Sequence, residues 1–244
     1  MRPWAYRVNA VSFAVLTLAA IALSVGYWPG DPGWMVAGLG AAALFAVNAG
    51  LLWRRVPWAG PVGFGLTAFS LGLWTQSLIA LAFVAGRSPG APISGTTCAI
   101  GLGGSVIAMG LVLAIPRAVP LRHWLSIAFA GAALVPAVVF ALAPAQSTVV
   151  ALAVGVGSAA VLAGTVAVGR GRTWGLLLNL LGAAILGGGV AFAPSLGWIT
   201  TAHPWLPNAG VFLVDILGMT AAGLAGVSTA IYLGPLVRFA LRRD

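Results

Sequence analysis

The chain reads as an all-α polytopic transmembrane helix bundle of eight spans, and three observations carry that reading. Hydrophobic residues fill 61% of the 244 positions and charged residues only 6%, against about 25% charged in an ordinary soluble domain. The apolar residues fall in runs of about twenty, the length that crosses ~30 Å of hydrocarbon as a helix. The twelve cationic residues, all arginine, lie between runs, where positive charge marks cytoplasmic connections.

So little charge cannot clothe a water-soluble protein of this size, so lipid is the solvent for most of the surface. The +9 formal charge is scattered between apolar runs and not gathered on one face, which suits anionic lipid and leaves nucleic acid unexpected as a partner. The chain has no lysine, so a retinal Schiff base is excluded. Cys98 is the single cysteine, so no internal disulfide and no Cys-based zinc or iron–sulfur site can form within the chain.

The spans are placed at 8–28, 34–53, 58–86, 92–115, 122–143, 147–169, 174–193 and 209–237. The first follows Trp4, Tyr6 and Arg7 and is read as a span. A signal peptide cleaved near Ala22 or Ser24 would have a shorter apolar core, and its removal would leave an odd number of crossings. Pro29, Gly30, Asp31, Pro32 and Gly33 end the first run, and Arg54, Arg55, Val56 and Pro57 end the second. Gly86 to Gly90 closes the third, Pro116 to Pro120 the fourth, Ala143 to Gln146 the fifth, and Arg170, Gly171 and Arg172 the sixth. Each break carries turn residues that cannot continue a helix cheaply. The segment 194–208, with His203, is the longest external connection.

With the N-terminus inside, eleven arginines (Arg2, Arg7, Arg54, Arg55, Arg117, Arg122, Arg170, Arg172, Arg238, Arg242 and Arg243) fall on the cytoplasmic side and only Arg87 falls outside. Removing or adding one span would misplace several of them. Trp4, Tyr6, Trp53, Trp58, Trp124, Trp174 and Tyr232 then line the inner boundary, and Tyr27, Trp28, Trp34, Trp198 and Trp205 the outer one. The expected location is the plasma (inner) membrane of a prokaryote, both termini cytoplasmic, since abundant Arg, Ala and Gly without Lys suit a GC-rich bacterial genome.

The whole of 1–244 is one integral membrane domain, within which 1–117 and 118–244 are candidate four-helix repeats in parallel orientation. Aligning 38–55 with 155–172 matches Gly38 with Gly155, Gly40 with Gly157, Ala42 with Ala159, Ala43 with Ala160, Ala46 with Ala163 and Arg55 with Arg172. An Ala/Gly-rich sequence matches itself easily, so the duplication stays an open alternative.

Helix association in lipid depends on small residues that let backbones approach. Three stripes at a spacing of four are candidates: Gly38, Ala42, Ala46 and Gly50; Gly155, Ala159, Ala163 and Ala167; and Gly218, Ala222, Gly226, Ala230 and Gly234. They predict that the second, sixth and eighth helices turn these faces into the bundle, or toward other membrane subunits or a second copy. Pro136 should kink the fifth helix, and Gly187, Gly188 and Gly189 weaken the seventh.

Few residues could carry chemistry. Asp215 is the only acid inside a span, and a mid-helix Asp costs about 2.5 to 3.5 kcal/mol to insert. It either binds or relays a proton, a cation or a polar solute, or it pairs structurally with Arg87 or neighbouring helices. Gln76 and Trp74 lie mid-membrane on the third span, and Asn48 and Asn179 add inward-capable amides. These side chains are either interhelical hydrogen bonds or the lining of a solute path. His123 and His203 lie a membrane apart, so they cannot share a haem. No phosphate loop, carboxylate pair or His-Glu-x-x-His helix is present, so an enzyme is the least favoured class, and no catalytic residue, metal ligand or cofactor is assigned.

Cys98, Arg117 and His203 follow the order of the Cys, Arg, His site in the exosortase and archaeosortase families of membrane transpeptidases, and Thr96, Thr97, Cys98, Ala99, Ile100 and Gly101 loosely resemble their Cys motif. The Asn-containing Arg motif of those families is absent from Pro136 to Ala145, and the arginine topology puts Arg117 and His203 on opposite sides. Eight spans in two halves also resemble the layout of quinone-reactive anchor subunits of molybdenum-type oxidoreductases, without a shared motif. Two functions follow as expectations. One is passage or binding of a small, weakly polar or lipophilic solute. The other is a non-catalytic subunit that packs against partners or holds lipid, quinone or pigment.

Overall fold

A computed structural model describes residues 3–26, 32–84, 91–115, 119–142, 147–191 and 209–241. Over these the chain is all-helical, with eight helices and no strand: α1 (Pro3–Gly26), α2 (Pro32–Trp53), α3 (Ala59–Val84), α4 (Ala91–Leu113), α5 (Leu121–Leu142), α6 (Thr148–Gly169), α7 (Trp174–Ala191) and α8 (Ala209–Leu241). Seven of them contain segments long and apolar enough to cross a membrane, and the chain is a multi-pass membrane protein. Arg87, Arg117 and the connection 192–208 with His203 lie outside the described residues.

Local chemistry sets the helix ends. α1 and α2 begin on proline, which is preorganised for a first turn where its missing N–H costs nothing. Ser147 caps α6, its hydroxyl accepting from the Val150 N–H at 3.3 Å. α6 stops in a Schellman turn: Gly171 takes φ +76°, its N–H donates to the Val168 carbonyl, and the Arg172 N–H reaches back to the Ala167 carbonyl. α2 ends the same way, with Val56 N–H on the Leu51 carbonyl and Arg55 N–H on the Leu52 carbonyl, but the left-handed position at φ 57° is Arg55.

The first four helices and the last four have similar neighbours. α1 packs on α2 and α4, and α3 on α4; α5 packs on α6 and α8, and α7 on α8. The largest difference is that α2 and α3 touch lightly whereas α6 and α7 share the most extensive interface. α5 joins the halves, lying against α3 and α2 as well as α6 and α8, and it runs unbroken through Pro136. At the α3–α5 crossing Gly131 comes so close that a methyl would lie 2.7 Å from the Val62 carbonyl oxygen.

The α6–α7 interface corrects the expected packing face. A methyl on Gly157 would lie 2.8 Å from the Gly182 carbonyl oxygen, and one on Gly175 2.6 Å from that of Gly164. Two glycines seven residues apart on each helix therefore interlock backbone to backbone, the close approach that holds helices in lipid. The expected stripes turn inward only in part: Ala42 on α2, Ala167 on α6 and Gly218 on α8 are buried, but Gly155, Ala159 and Ala163 are exposed, as are Ala46 and Gly50 on α2 and Gly226, Ala230 and Gly234 on α8. The buried face of α8 carries Gly218, against the Phe140 ring, together with Leu217, Ala221, Ala225, Ser228, Thr229 and Tyr232. Small residues cover more than one face of these helices, and only complementarity with a neighbour selects one.

The aligned pairs of the candidate repeat match in exposure only in part, since Ala46 and Ala163 are both exposed. Ala42 is buried where Ala159 is exposed. Shifting by one residue matches buried Ala42 with Ser158, Phe45 with Val161 and Asn48 with Gly164, and aligns the left-handed positions Arg55 and Gly171.

Candidate functional site

In the first half, α1 and α2 run antiparallel. Phe13 and Phe45 meet with ring centroids 6.1 Å apart and planes at 56°. The guanidinium of Arg7 sits 5.8 Å over the Trp53 ring nearer the start of α1. Asn9, one turn before Phe13, and Asn48, three residues after Phe45, therefore lie at one level between these contacts. That level is about 8 Å inside the Trp4 end of α1 at 1.5 Å per residue.

Both asparagines are sealed from solvent, at 0% and 1% exposure, and all four of their amide heteroatoms lack a hydrogen-bond partner among the described residues. So do the Ser105 hydroxyl and the indole N–H groups of Trp58 and Trp74. Ser105 lies on the buried face of α4 one turn from Gly101, which packs against the Trp74 ring. A buried polar group left unmet costs about 1 to 3 kcal/mol, and in lipid there is no bulk water to relieve it.

The second half treats the same chemistry differently. Asn179 is fully buried, and its Nδ2 donates to Thr165 Oγ1 at 2.7 Å and the Val161 carbonyl at 3.2 Å. Thr229 donates to Asn179 Oδ1 at 2.6 Å, so α6, α7 and α8 are tied through one carboxamide. Ser126 and Ser228 clasp α5 to α8, each hydroxyl donating to the other's carbonyl at 2.8 and 2.9 Å. One turn toward the helix end, His123 Nδ1 and Tyr232 Oη share a hydrogen bond at 3.1 Å.

The expected site residues are thus divided. Asn48 and Trp74 lie in the first half with polar atoms unmet among the described residues, while Asn179 lies in the second with its amide engaged. Asp215 is on α8 and Gln76 on α3, and their side chains lie outside the described residues. Cys98 is buried on α4. No group of three or more His, Cys, Asp or Glu that could hold a metal occurs among the described residues.

Asn9 was not among the sequence candidates, because it stands close to the charged start of the first span. Its signal was the i+4, i+7 spacing to Phe13 and Leu16, both fully buried, which puts the amide on the packed face. The Ser and Thr residues of the second half gave no sequence signal, since their hydroxyls can also bond the carbonyl four residues back within their own helix.

Chemically, the amides, hydroxyl and indoles of the first-half cluster offer hydrogen-bond donors and acceptors, which suits recognition of a polar group. In comparisons with known proteins the chain matches no family model, no curated protein and no solved structure.

Proposed function

We propose that the chain crosses the bilayer eight times with both termini in the cytoplasm, and that its first half binds or passes a small, weakly polar solute. The observation that carries this reading is the set of buried polar groups in the first half that the described protein does not satisfy, which are those of Asn9, Asn48, Ser105, Trp58 and Trp74. Asn9 and Asn48 share a level of α1 and α2, and Ser105 on α4 lies one turn from Gly101, which packs on Trp74 of α3. A bundle that needed these residues only as interhelical glue would pair them, as Asn179 is paired. Asp215, on the outer part of α8, and Gln76, on α3, are further candidates for the same solute.

Support for an eighth crossing comes from the length of α3, a 26-residue helix about 39 Å long, and from the arginines that an even count keeps on one side. Single cysteines placed at Arg55 and Gly171 in a Cys98→Ala background should resist a membrane-impermeant maleimide in intact cells and react after lysis. Reaction in intact cells would overturn the topology.

Solute passage is tested in phosphatidylethanolamine/phosphatidylglycerol vesicles containing the purified chain, by light-scattering entry of urea and glycerol. Entry at least several-fold above protein-free vesicles is expected. Rates equal to those of empty vesicles for both would remove the passage reading.

The exposure of Gly155, Ala159 and Ala163 on α6 and of Gly226 and Ala230 on α8 favours a second reading, a subunit that packs these faces against other membrane helices. Purification in mild detergent separates the two. Constant co-purifying chains support the subunit, and a lone monomer opposes it.

A further inference from the structure

We propose that Asn9 and Asn48 together form a binding site for a small neutral solute whose polar group carries donor and acceptor side by side, as amides and ureas do. This rests on the solute-binding reading above and names its ligand class and its contact residues.

The geometry comes from three helices. Asn9 on α1 and Asn48 on α2 share a level, one turn from the Phe13–Phe45 ring pair. Gly63 on α3 stands against the same point, since a methyl there would fall 2.6 Å from Asn48 Nδ2 and 2.9 Å from Phe13 Cζ. Any other residue at 63 would crowd the Asn48 amide and the Phe13 ring, so glycine is what lets α3 lie this close to the pair. Two carboxamides thus stand beside an aromatic pair, with all four heteroatoms unmet among the described residues.

The chemistry of the donors narrows the ligand. Each carboxamide presents two N–H donors and a carbonyl with two lone pairs. A ligand with acceptors alone, such as a quinone carbonyl, would leave both Asn oxygens unmet, and one with donors alone would leave the N–H groups unmet. Charge narrows it further. No acidic side chain is described near the pair, and Arg7 is exposed and lies over Trp53, so an ion brought to this level would be buried without a counter-charge, at a cost of several kcal/mol. A compact neutral amide meets both kinds of group, and its planar face can lie against Phe13 and Phe45.

The sequence contains four asparagines, Asn9, Asn48, Asn179 and Asn208, so asparagine-selective ¹⁵N labelling gives four side-chain amide signals. The full chain in lipid nanodiscs is titrated with acetamide, and separately with sodium acetate. Saturable movement of the Asn9 and Asn48 signals with acetamide, with Asn179 stationary, is expected. Asn48→Leu should abolish the movement of Asn9, and Gly63→Ala should weaken it at least tenfold. Three results overturn the proposal: Asn9 and Asn48 unmoved by acetamide, all four signals drifting together without saturation, or acetate moving the pair as strongly as acetamide.

Asn48→Leu also separates binding from a purely structural amide pair. It should leave the thermal midpoint unchanged or raised, whereas a midpoint several degrees lower would mean that the two side chains bond each other. Failure of this site is distinct from failure of solute passage. Urea entry that persists in the Asn9→Leu/Asn48→Leu double variant keeps passage and discards this pair, while a saturable titration without entry keeps the pair and discards passage.

Discussion

The two halves of the bundle hold similar polar residues in opposite states. In the second, a single carboxamide, Asn179, ties three helices through Thr165, Thr229 and the Val161 carbonyl. In the first, two equally buried carboxamides, Asn9 and Asn48, make no hydrogen bond among the described residues. The lesson is that burial of a polar group in a membrane bundle does not by itself distinguish structure from function. A group whose bonds are satisfied is part of the scaffold, and a group left open at a cost is a candidate for a ligand.

The backbone packing gives the largest test of that contrast. Gly164→Val should cost about 3 kcal/mol through overpacking against the backbone of α7, because a side chain there meets the Gly175 carbonyl and the Asn179 backbone. Gly50→Val on the exposed face of α2, where a methyl meets nothing within 4 Å, should change stability by under ~0.5 kcal/mol. Equal losses of unfolding free energy in the two variants would break the comparison.

The amides come next. Asn179→Leu should destabilise by about 2 kcal/mol, since the bonds that Thr229, Thr165 and the Val161 carbonyl make across the helices to this amide are lost in a buried setting. Asn48→Leu removes groups that have none and should be neutral or stabilising. If denaturant titration shows Asn48→Leu to be the more damaging, the first-half amides are structural. Smaller again is Ser126→Ala, which breaks the reciprocal clasp between α5 and α8 and should cost about 1 kcal/mol, within the range of interhelical hydrogen bonds in membranes.

The smallest effect separates the two Schellman turns. Arg55 holds a left-handed conformation that Gly171 adopts freely, and the strain on a side chain there is on the order of 1 kcal/mol. Arg55→Gly should therefore raise stability by under about 1 kcal/mol, part of the gain being offset by the greater freedom of glycine in the unfolded chain. Gly171→Arg should lower it by a similar amount, read in the same denaturant titration.

Much of the architecture was legible in residues. The helix ends fall within a few positions of the Pro, Gly and Arg breaks because those residues act locally: proline starts α2, Ser147 caps α6 and Gly171 stops it. The packing faces were not legible. On α6 both the Gly155/Ala159/Ala163 face and the Gly157/Gly164 face are small, and only the matching Gly175 and Gly182 of α7 select the second. Among the candidate residues, Asn48 and Asn179 looked equivalent, and their difference arises from what the neighbouring helices bring to them.

By itself, the amino-acid order determined the solvent of this protein, the number and approximate limits of its apolar runs, and which connections carry positive charge. These follow from transfer free energy and turn chemistry, which are summed along the chain. The tertiary structure alone decided which glycines interlock, that the Asn179 amide is bonded to Thr165 and Thr229, and that Asn9 and Asn48 fall at one level near the Phe13–Phe45 pair. Those outcomes depend on distances between helices, and no segment read alone contains its neighbour.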